Sequence, residues 1–106
     1  MDEPEIRWSK NAELDLFETL KFYTHRNQNT MYSESILSEI TSATSNLLQF
    51  PMLGRPFDDN LRVLVVLDYN IYYEIQGKSI RIYLFWDTLR NSIDLEVSLR
   101  RVKLYE

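Results

Sequence analysis

The sequence predicts a single compact α+β domain in which a short strand and an αα-hairpin precede a three-stranded antiparallel sheet. Three observations lead to this prediction. The chain has 106 residues, 44% of them hydrophobic, which is enough for one core and too little for two domains. Over residues 10–50 the apolar residues recur every three or four positions, the period of an amphipathic helix. From residue 61 onwards, β-branched residues and alternation become frequent, as is typical of strands.

Residues 5–8 alternate polar and apolar side chains and therefore predict a short strand. Ser9 is a good helix N-cap because its hydroxyl can accept an unpaired backbone N–H of the first turn, so a helix is predicted from Lys10. One face of this helix carries an apolar stripe, which consists of Ala12, Leu16, Leu20 and Tyr23. The pattern ends at Asn27, where a run of polar residues begins.

A second helix is predicted to follow Thr30 and to end near Phe50, because Pro51 cannot continue the backbone hydrogen-bond ladder. Its apolar positions form the most regular pattern in the chain, namely Ile36, Ile40, Ala43, Leu47 and Phe50. Two helices joined by so short a connection form an αα-hairpin. The hairpin must bury its stripes against another layer, and the remaining chain supplies a sheet.

Residues 51–56 are interpreted as a turn, and three strands are predicted after it, at residues 61–67, 71–76 and 79–86. Gly77 opens the last hairpin, and glycine at that position suits a two-residue type II′ turn. We expect the three strands to form an antiparallel meander.

The end of the chain allows two interpretations. Leu95, Leu99 and Val102 have helical spacing, although the apolar residues of this segment would also alternate in a strand. We interpret the segment as a short helix. We accordingly divide the chain into a domain of residues 1–95 and a C-terminal extension of residues 96–106.

The two faces of the predicted sheet differ. Alternation assigns one set to the face that packs on the helices: Ile71, Tyr73, Ile75, Ile80, Ile82 and Leu84. The opposite face then carries Arg62, Leu64, Val66, Tyr72, Glu74, Arg81, Tyr83 and Phe85. Exposing such a face costs roughly 25 cal/mol for each Å² of apolar surface. Its cover is the chain's own C-terminal segment, a second copy in a homodimer, or a segment of another protein that pairs with the arginines.

The composition limits the possible chemistry. With no cysteine and one histidine, the chain has no disulfide, no thiolate metal site and no histidine-rich zinc site, and we expect no cofactor. The N-terminus is acidic and no apolar run is long enough to cross a bilayer, so a cytoplasmic protein without membrane contact is predicted.

The charge distribution indicates where an anionic partner would bind. The net charge of −4 argues against a protein that coats nucleic acid by bulk electrostatics. Residues 1–60 contain 5 basic and 10 acidic side chains, whereas residues 61–106 contain 7 basic and 6 acidic ones. An anionic partner should therefore meet the second half of the chain.

Several short motifs occur in a characteristic order along the chain. They are Trp8, Ala12, Asp15, Leu16 and Tyr23, then residues 50–55 (Phe-Pro-Met-Leu-Gly-Arg), 61–62, 69–73 (Tyr-Asn-Ile-Tyr-Tyr), 80–82 and 86–91 (Trp-Asp-Thr-Leu-Arg-Asn). Together they resemble the ParE branch of the RelE/ParE toxins, which includes plasmid stabilisation proteins. The resemblance runs from residue 6 to about residue 95 and agrees with the predicted order of elements.

This resemblance implies the toxin of a bacterial type II toxin-antitoxin system. A cognate antitoxin would neutralise it by wrapping its C-terminal segment around the helices and the sheet. RelE-type members cleave mRNA on the ribosome, whereas ParE-type members poison DNA gyrase. The surface expected to bind the antitoxin or the target comprises Arg62, Leu64, Tyr72, Arg81, Tyr83, Phe85, Trp86 and Arg90.

The ribonuclease mechanism makes specific demands on the sequence. Metal-free RNA cleavage needs a base for the 2′-hydroxyl, a cation for the phosphorane and an acid for the leaving oxygen. The resemblance implies that lysines, arginines and a late tyrosine or histidine supply these groups. Arg62 and Arg81 match two such arginines by position, and Arg90 lies where another basic residue is common. No lysine cluster precedes Arg62, and Asp58 and Asp59 there would repel a phosphate.

We therefore expect a ParE-like toxin that inhibits gyrase by protein contact and performs no chemistry of its own. One alternative is a ribosome-dependent mRNA endonuclease with Arg62 and Arg81 as catalytic residues. The other is a degenerate, non-toxic member that serves only as a binding module.

Overall fold

The computed structural model describes residues 3–88, together with Leu95 and Leu99. In this part of the chain two helices and five strands follow one another. They are β1 (Ile6–Trp8), α1 (Lys10–Asn27), α2 (Met31–Gln49), β2 (Arg55–Asp58), β3 (Leu61–Val66), β4 (Tyr69–Gln76) and β5 (Ser79–Asp87). The strands form one sheet in the order β1-β5-β4-β3-β2, with β1 parallel to β5 and the other neighbours antiparallel. The α+β class and the helical hairpin are confirmed, but the predicted three-stranded sheet is wrong because β1 and β2 also join it.

The junction of β1 and α1 is held by Ser9, as its sequence position predicts. The Ser9 hydroxyl accepts the Ala12 N–H at 3.0 Å, which is an N-cap bond. The same hydroxyl donates to the carbonyl of Tyr83 at 2.8 Å, and Ser9 is 1% exposed. One buried side chain therefore both starts the helix and attaches it to β5.

The helical hairpin packs on one face of the sheet, here called the inner face. α2 ends before Pro51 as predicted, and the Phe50 N–H donates to the Asn46 carbonyl at 2.8 Å. Between the helices the Ser33 hydroxyl donates to the Leu20 carbonyl at 2.6 Å. The apolar stripes predicted from spacing contribute the core residues Ala12, Leu16, Ile36, Ile40 and Leu47.

Strand β2 corrects the interpretation of residues 51–56 as a turn throughout. Arg55 pairs with Val63 and Pro56 pairs with Arg62, and the register then shifts before Asp58. Proline removes a ladder donor, which an edge strand tolerates because one side of it is unpaired. The strand is four residues long and does not alternate, so its sequence carries no strand signal.

The register of β3 against β4 corrects the predicted faces. β4 begins at Tyr69, two residues earlier than expected, so residues 67–68 alone form the turn. Leu64 is therefore opposite Ile71 and Val66 is opposite Tyr69. Residues that are directly opposite share a face, so Leu64 and Val66 lie on the inner face and not on the outer one.

A bulge in β5 corrects the faces a second time. The register of β4 against β5 shifts by one residue, which leaves Tyr83 without an opposite residue. Ile82 packs against the helices, but beyond the bulge Leu84 belongs to the opposite face and Phe85 to the inner one. The predicted places of Leu84 and Phe85 are both wrong, because strict alternation assumes an unbroken ladder. The two-residue turn at Gly77, with a φ of 62°, is confirmed.

Four hydrogen bonds hold the turn that follows α2, and we call this set the turn clamp. The Tyr73 hydroxyl donates to the Pro51 carbonyl at 2.8 Å and accepts the Gly54 N–H at 2.9 Å. The Arg62 guanidinium donates to the carbonyls of Gly54 at 2.8 Å and Met52 at 3.2 Å. A Cβ on Gly54 would lie 2.7 Å from the Tyr73 hydroxyl, so only glycine fits there.

At the opposite end of the sheet, Tyr69 lies in an aromatic cluster. Its ring stacks on Phe85 with centroids 4.7 Å apart, and Tyr69 is 4% exposed. Burial, followed by the nearby phenols of Tyr23 and Tyr32 and the carboxylate of Asp87, raises the pKa of Tyr69 far above its ordinary value. The folded protein therefore strongly favours the neutral phenol.

Removal of the Tyr73 hydroxyl should destabilise the protein through the turn clamp. We expect Tyr73→Phe to lower the free energy of unfolding by about 1–3 kcal/mol, because the Gly54 N–H is left buried and unpaired. Urea unfolding followed by circular dichroism measures the loss. Tyr72→Phe is the matched control, since that hydroxyl accepts only a 3.3 Å bond from Asn70, and it should cost less than about 1 kcal/mol. Equal losses in the two variants would contradict the clamp.

Tyr69 should make the protein sensitive to alkali. Its pKa is raised in the folded state, so below the ordinary value of 10.0 the phenol is neutral in both states. As the pH rises past that value, the unfolded chain loses the proton first, and the free energy of unfolding decreases. Urea midpoints measured at increasing pH should fall less steeply for Tyr69→Phe than for the wild type. Parallel curves would show that Tyr69 titrates normally.

Candidate functional site

The face of the sheet away from the helices, here called the outer face, contains a second buried apolar cluster. Its cluster consists of Leu61, Val63, Tyr72, Leu84, Trp86 and Leu99, each no more than 8% exposed. Leu95 is partly buried against the same cluster, and both Leu95 and Leu99 are helical. The sequence analysis named three ways to cover this face, and Leu95 and Leu99 show that the chain's own C-terminal segment contributes to the cover. The rest of that segment lies outside the described residues.

Two of the residues predicted to bind a partner are buried under the helices. Leu64 and Phe85 are 8% and 2% exposed and belong to the inner-face core. Two others, Tyr72 and Trp86, lie on the outer face but are 2% and 3% exposed. None of these four side chains presents a free surface, and Arg90 lies outside the described residues.

Arg81 and Tyr83 remain partly exposed on the outer face and form part of a polar network. The Arg81 guanidinium lies 5.9 Å from the centre of the Tyr83 ring. The Tyr83 hydroxyl donates to the Glu74 carboxylate at 2.9 Å, and the Gln76 amide donates to the same oxygen at 2.9 Å. Burial, and then the bond to Glu74, raises the pKa of Tyr83. A carboxylate at the centre of this network disfavours a bound phosphate.

Arg62 and Arg81 are not brought together by the fold. Arg62 is opposite Tyr73, which points to the inner face, and Arg81 is opposite Glu74, which belongs to the outer-face network. The Arg62 guanidinium is already engaged by two carbonyls of the turn clamp. These arginines therefore occupy strand positions on opposite faces of the sheet.

A pocket of about 440 Å³ lies beside Arg62 at the end of the sheet. Its polar lining includes Asp59, Asn60 and Glu74. Two carboxylates around a single engaged arginine make a poor environment for an anion. In residues 3–88 with Leu95 and Leu99, no cluster of three or more histidine, cysteine or acidic residues could hold a metal ion.

The apolar surface that is truly exposed lies elsewhere and was missed at the sequence level. After α2 the side chains of Phe50, Met52 and Leu53 are 55%, 69% and 56% exposed, and we call these three residues the apolar turn. Phe57 on β2 is 45% exposed, and its ring packs edge-on against Tyr72 of the outer face with centroids 4.9 Å apart. The run Phe-Pro-Met-Leu was visible in the sequence, but its apolar character was not used as a signal.

A second exposed apolar set lies on the helices. Leu14 and Phe17 on the solvent side of α1 are 53% and 58% exposed. Phe22 and Tyr32, near the tip of the hairpin, are 57% and 46% exposed. Patches of this kind mark interfaces more often than isolated exposed residues do. None of the helices in the described part of the chain combines the length and apolar character needed to cross a membrane.

Comparisons with known proteins agree with this fold. The family model described as the ParE toxin of the type II toxin-antitoxin system parDE matches residues 6–91. A solved structure titled as the chromosomal ParDE TA system from P. aeruginosa is similar, with a TM-score of 0.62 and 17% identity, and the match covers 77% of this chain and 92% of that one. No curated protein matches the chain. Because the family match spans most of the sequence, the chain belongs to the ParE toxin family of type II toxin-antitoxin systems.

Proposed function

We propose that this protein is a toxin that inhibits DNA gyrase by direct protein contact and is neutralised by a cognate antitoxin. The observation that carries the proposal is the ParE family match over residues 6–91. The predicted cytoplasmic location is part of the same proposal, since gyrase acts on chromosomal DNA.

The environment of the arginines supports an inhibitor that performs no chemistry of its own. A ribonuclease must direct cations at one phosphate, and the phosphorane gains most from donors that are not already engaged. Arg62 uses its guanidinium on the turn clamp, and Arg81 lies on the other face near the Glu74 carboxylate. This arrangement disfavours the endonuclease alternative, in which Arg62 and Arg81 act together.

The exposed apolar side chains on the helices are the proposed antitoxin contacts. The solved neighbour is titled as a ParDE toxin-antitoxin system, which supports an antitoxin as partner. Because Leu95 and Leu99 pack on the outer face, we move the proposed antitoxin surface to Leu14 and Phe17 on α1. Of the outer-face residues predicted from sequence, Arg81 and Tyr83 retain enough exposure to contribute.

Expression of the chain alone should arrest growth, and co-expression of the protein encoded beside it should restore growth. In vitro, the purified protein should inhibit supercoiling by gyrase and cause linear DNA to accumulate as trapped cleavage complex. A supercoiling assay with and without the antitoxin measures both effects. Growth arrest with unimpaired supercoiling would exclude gyrase, and healthy cells would favour the non-toxic binding module.

Primer extension on cellular transcripts should detect no cleavage that depends on Arg62. If Arg62→Ala reduces toxicity, the reason should be loss of the turn clamp, and Tyr73→Phe should reduce toxicity comparably although it retains the cation. Cuts inside codons that disappear in Arg62→Ala and persist in Tyr73→Phe would establish the endonuclease alternative instead.

A further inference from the structure

The apolar turn has an ordered backbone although its side chains are exposed. Each of its three side chains is more than half exposed, while the four bonds of the turn clamp hold the carbonyls of Pro51, Met52 and Gly54 and the Gly54 N–H. The Leu53 N–H also donates to the Phe50 carbonyl at 3.1 Å, which closes the turn internally. A preordered loop loses little conformational entropy when it binds, so this geometry favours a binding element over a solvent loop.

Positive charge lies close in sequence to the apolar turn, in a chain whose net charge is −4. Arg55, which directly follows the turn, is exposed and has no side-chain partner among residues 3–88, Leu95 and Leu99. A partner that covers the apolar turn would therefore be favoured if it placed a carboxylate beside Arg55.

The size of the apolar turn argues against a stable homodimer formed through it alone. A stable interface buries about 800 Å² on each partner. A fully covered aromatic side chain buries about 150–250 Å², so the three partly exposed side chains of the turn provide roughly half of that area at most. The turn is therefore suited to be one anchor within a larger contact, in which a pocket of the partner receives Met52 and Leu53.

From the hydrogen-bonded backbone, the neighbouring Arg55 and the size of the surface together, we infer that the apolar turn and Arg55 form the contact with the toxin's cellular target, separate from the antitoxin surface on α1. The partner is an acidic protein surface with an apolar pocket that receives Met52 and Leu53. This inference rests on the proposed function, because it assumes a toxic protein with a protein target. It does not depend on whether that target is gyrase.

The test compares two double variants of the full-length protein. Met52→Ser with Leu53→Ser removes the anchor, and Leu14→Ser with Phe17→Ser removes a similarly exposed pair on α1. The clamp bonds to the turn use backbone groups, so thermal melts of both variants should match the wild type. We expect the turn variant to lose growth arrest by about tenfold or more in expressed dose while it binds the antitoxin normally. The α1 variant should show the reverse.

Substitution of Arg55 tests separately whether the partner surface is acidic. Arg55→Glu should weaken growth arrest more than Arg55→Gln does, because reversal adds repulsion from the acidic partner surface. Titrations of the purified antitoxin and of purified gyrase against each variant give the affinities of both complexes. Equal weakening by the two Arg55 substitutions would overturn the predicted acidic partner.

Several outcomes overturn the inference in distinguishable ways. Unchanged growth arrest in the turn variant would show that Met52 and Leu53 do not anchor the target. If the turn variant lost both growth arrest and antitoxin binding, the turn would be an antitoxin site. A wild-type dimer that the turn variant converts to monomer would make the occupant a second copy. A wild type that arrests nothing overturns the proposed function and this inference together. A toxic wild type that leaves gyrase unaffected overturns the gyrase target only, and the growth data then decide the inference.

Discussion

Both faces of the sheet are apolar, and the arrangement of the molecule follows from the need to cover each of them. Ile71, Tyr73 and Ile82 are fully buried on the inner face, and Tyr72 and Leu84 are 2% exposed on the outer one. Burial of one large apolar side chain contributes about 1.5–3 kcal/mol, so neither face can remain in water. The helical hairpin covers the inner face, and Leu95 and Leu99 pack on the outer face. The apolar surface that remains for partners is thereby shifted to the helices and to the apolar turn.

The turn clamp connects this core to the exposed surface. The Tyr73 ring is buried between sheet and helices, yet its hydroxyl reaches the Pro51 carbonyl outside the core. Two residues of the Phe-Pro-Met-Leu-Gly-Arg motif thus have identifiable structural roles. Pro51 follows the helix end and supplies an acceptor, and Gly54 leaves room for the tyrosine hydroxyl. A residue that stabilises the fold therefore also sets the shape of the proposed target contact.

The sequence placed only some of the candidate site residues on the correct face of the sheet, and the reason is geometric. The sequence identified Arg62, Arg81 and Tyr83 as chemically distinctive, and these side chains do form specific polar contacts. It placed Leu64 and Phe85 on the wrong face of the sheet. Successive side chains of a strand point to opposite faces, so an error of one residue in the register moves each side chain to the other face. A loop one residue shorter than expected moved Leu64, and the bulge at Tyr83 moved Phe85.

The sequence by itself determined the features that depend on neighbouring residues. Helix starts and stops at Ser9 and Pro51, the apolar stripes of both helices and the turn at Gly77 follow from local backbone chemistry. The order of motifs along the chain also predicted the family. Only the tertiary structure decided that Arg55–Asp58 forms an edge strand, that the outer face is covered and that Arg62 is engaged by a turn. Those outcomes depend on contacts between residues that are far apart in sequence. The spacing of neighbouring residues does not predict which of these contacts form.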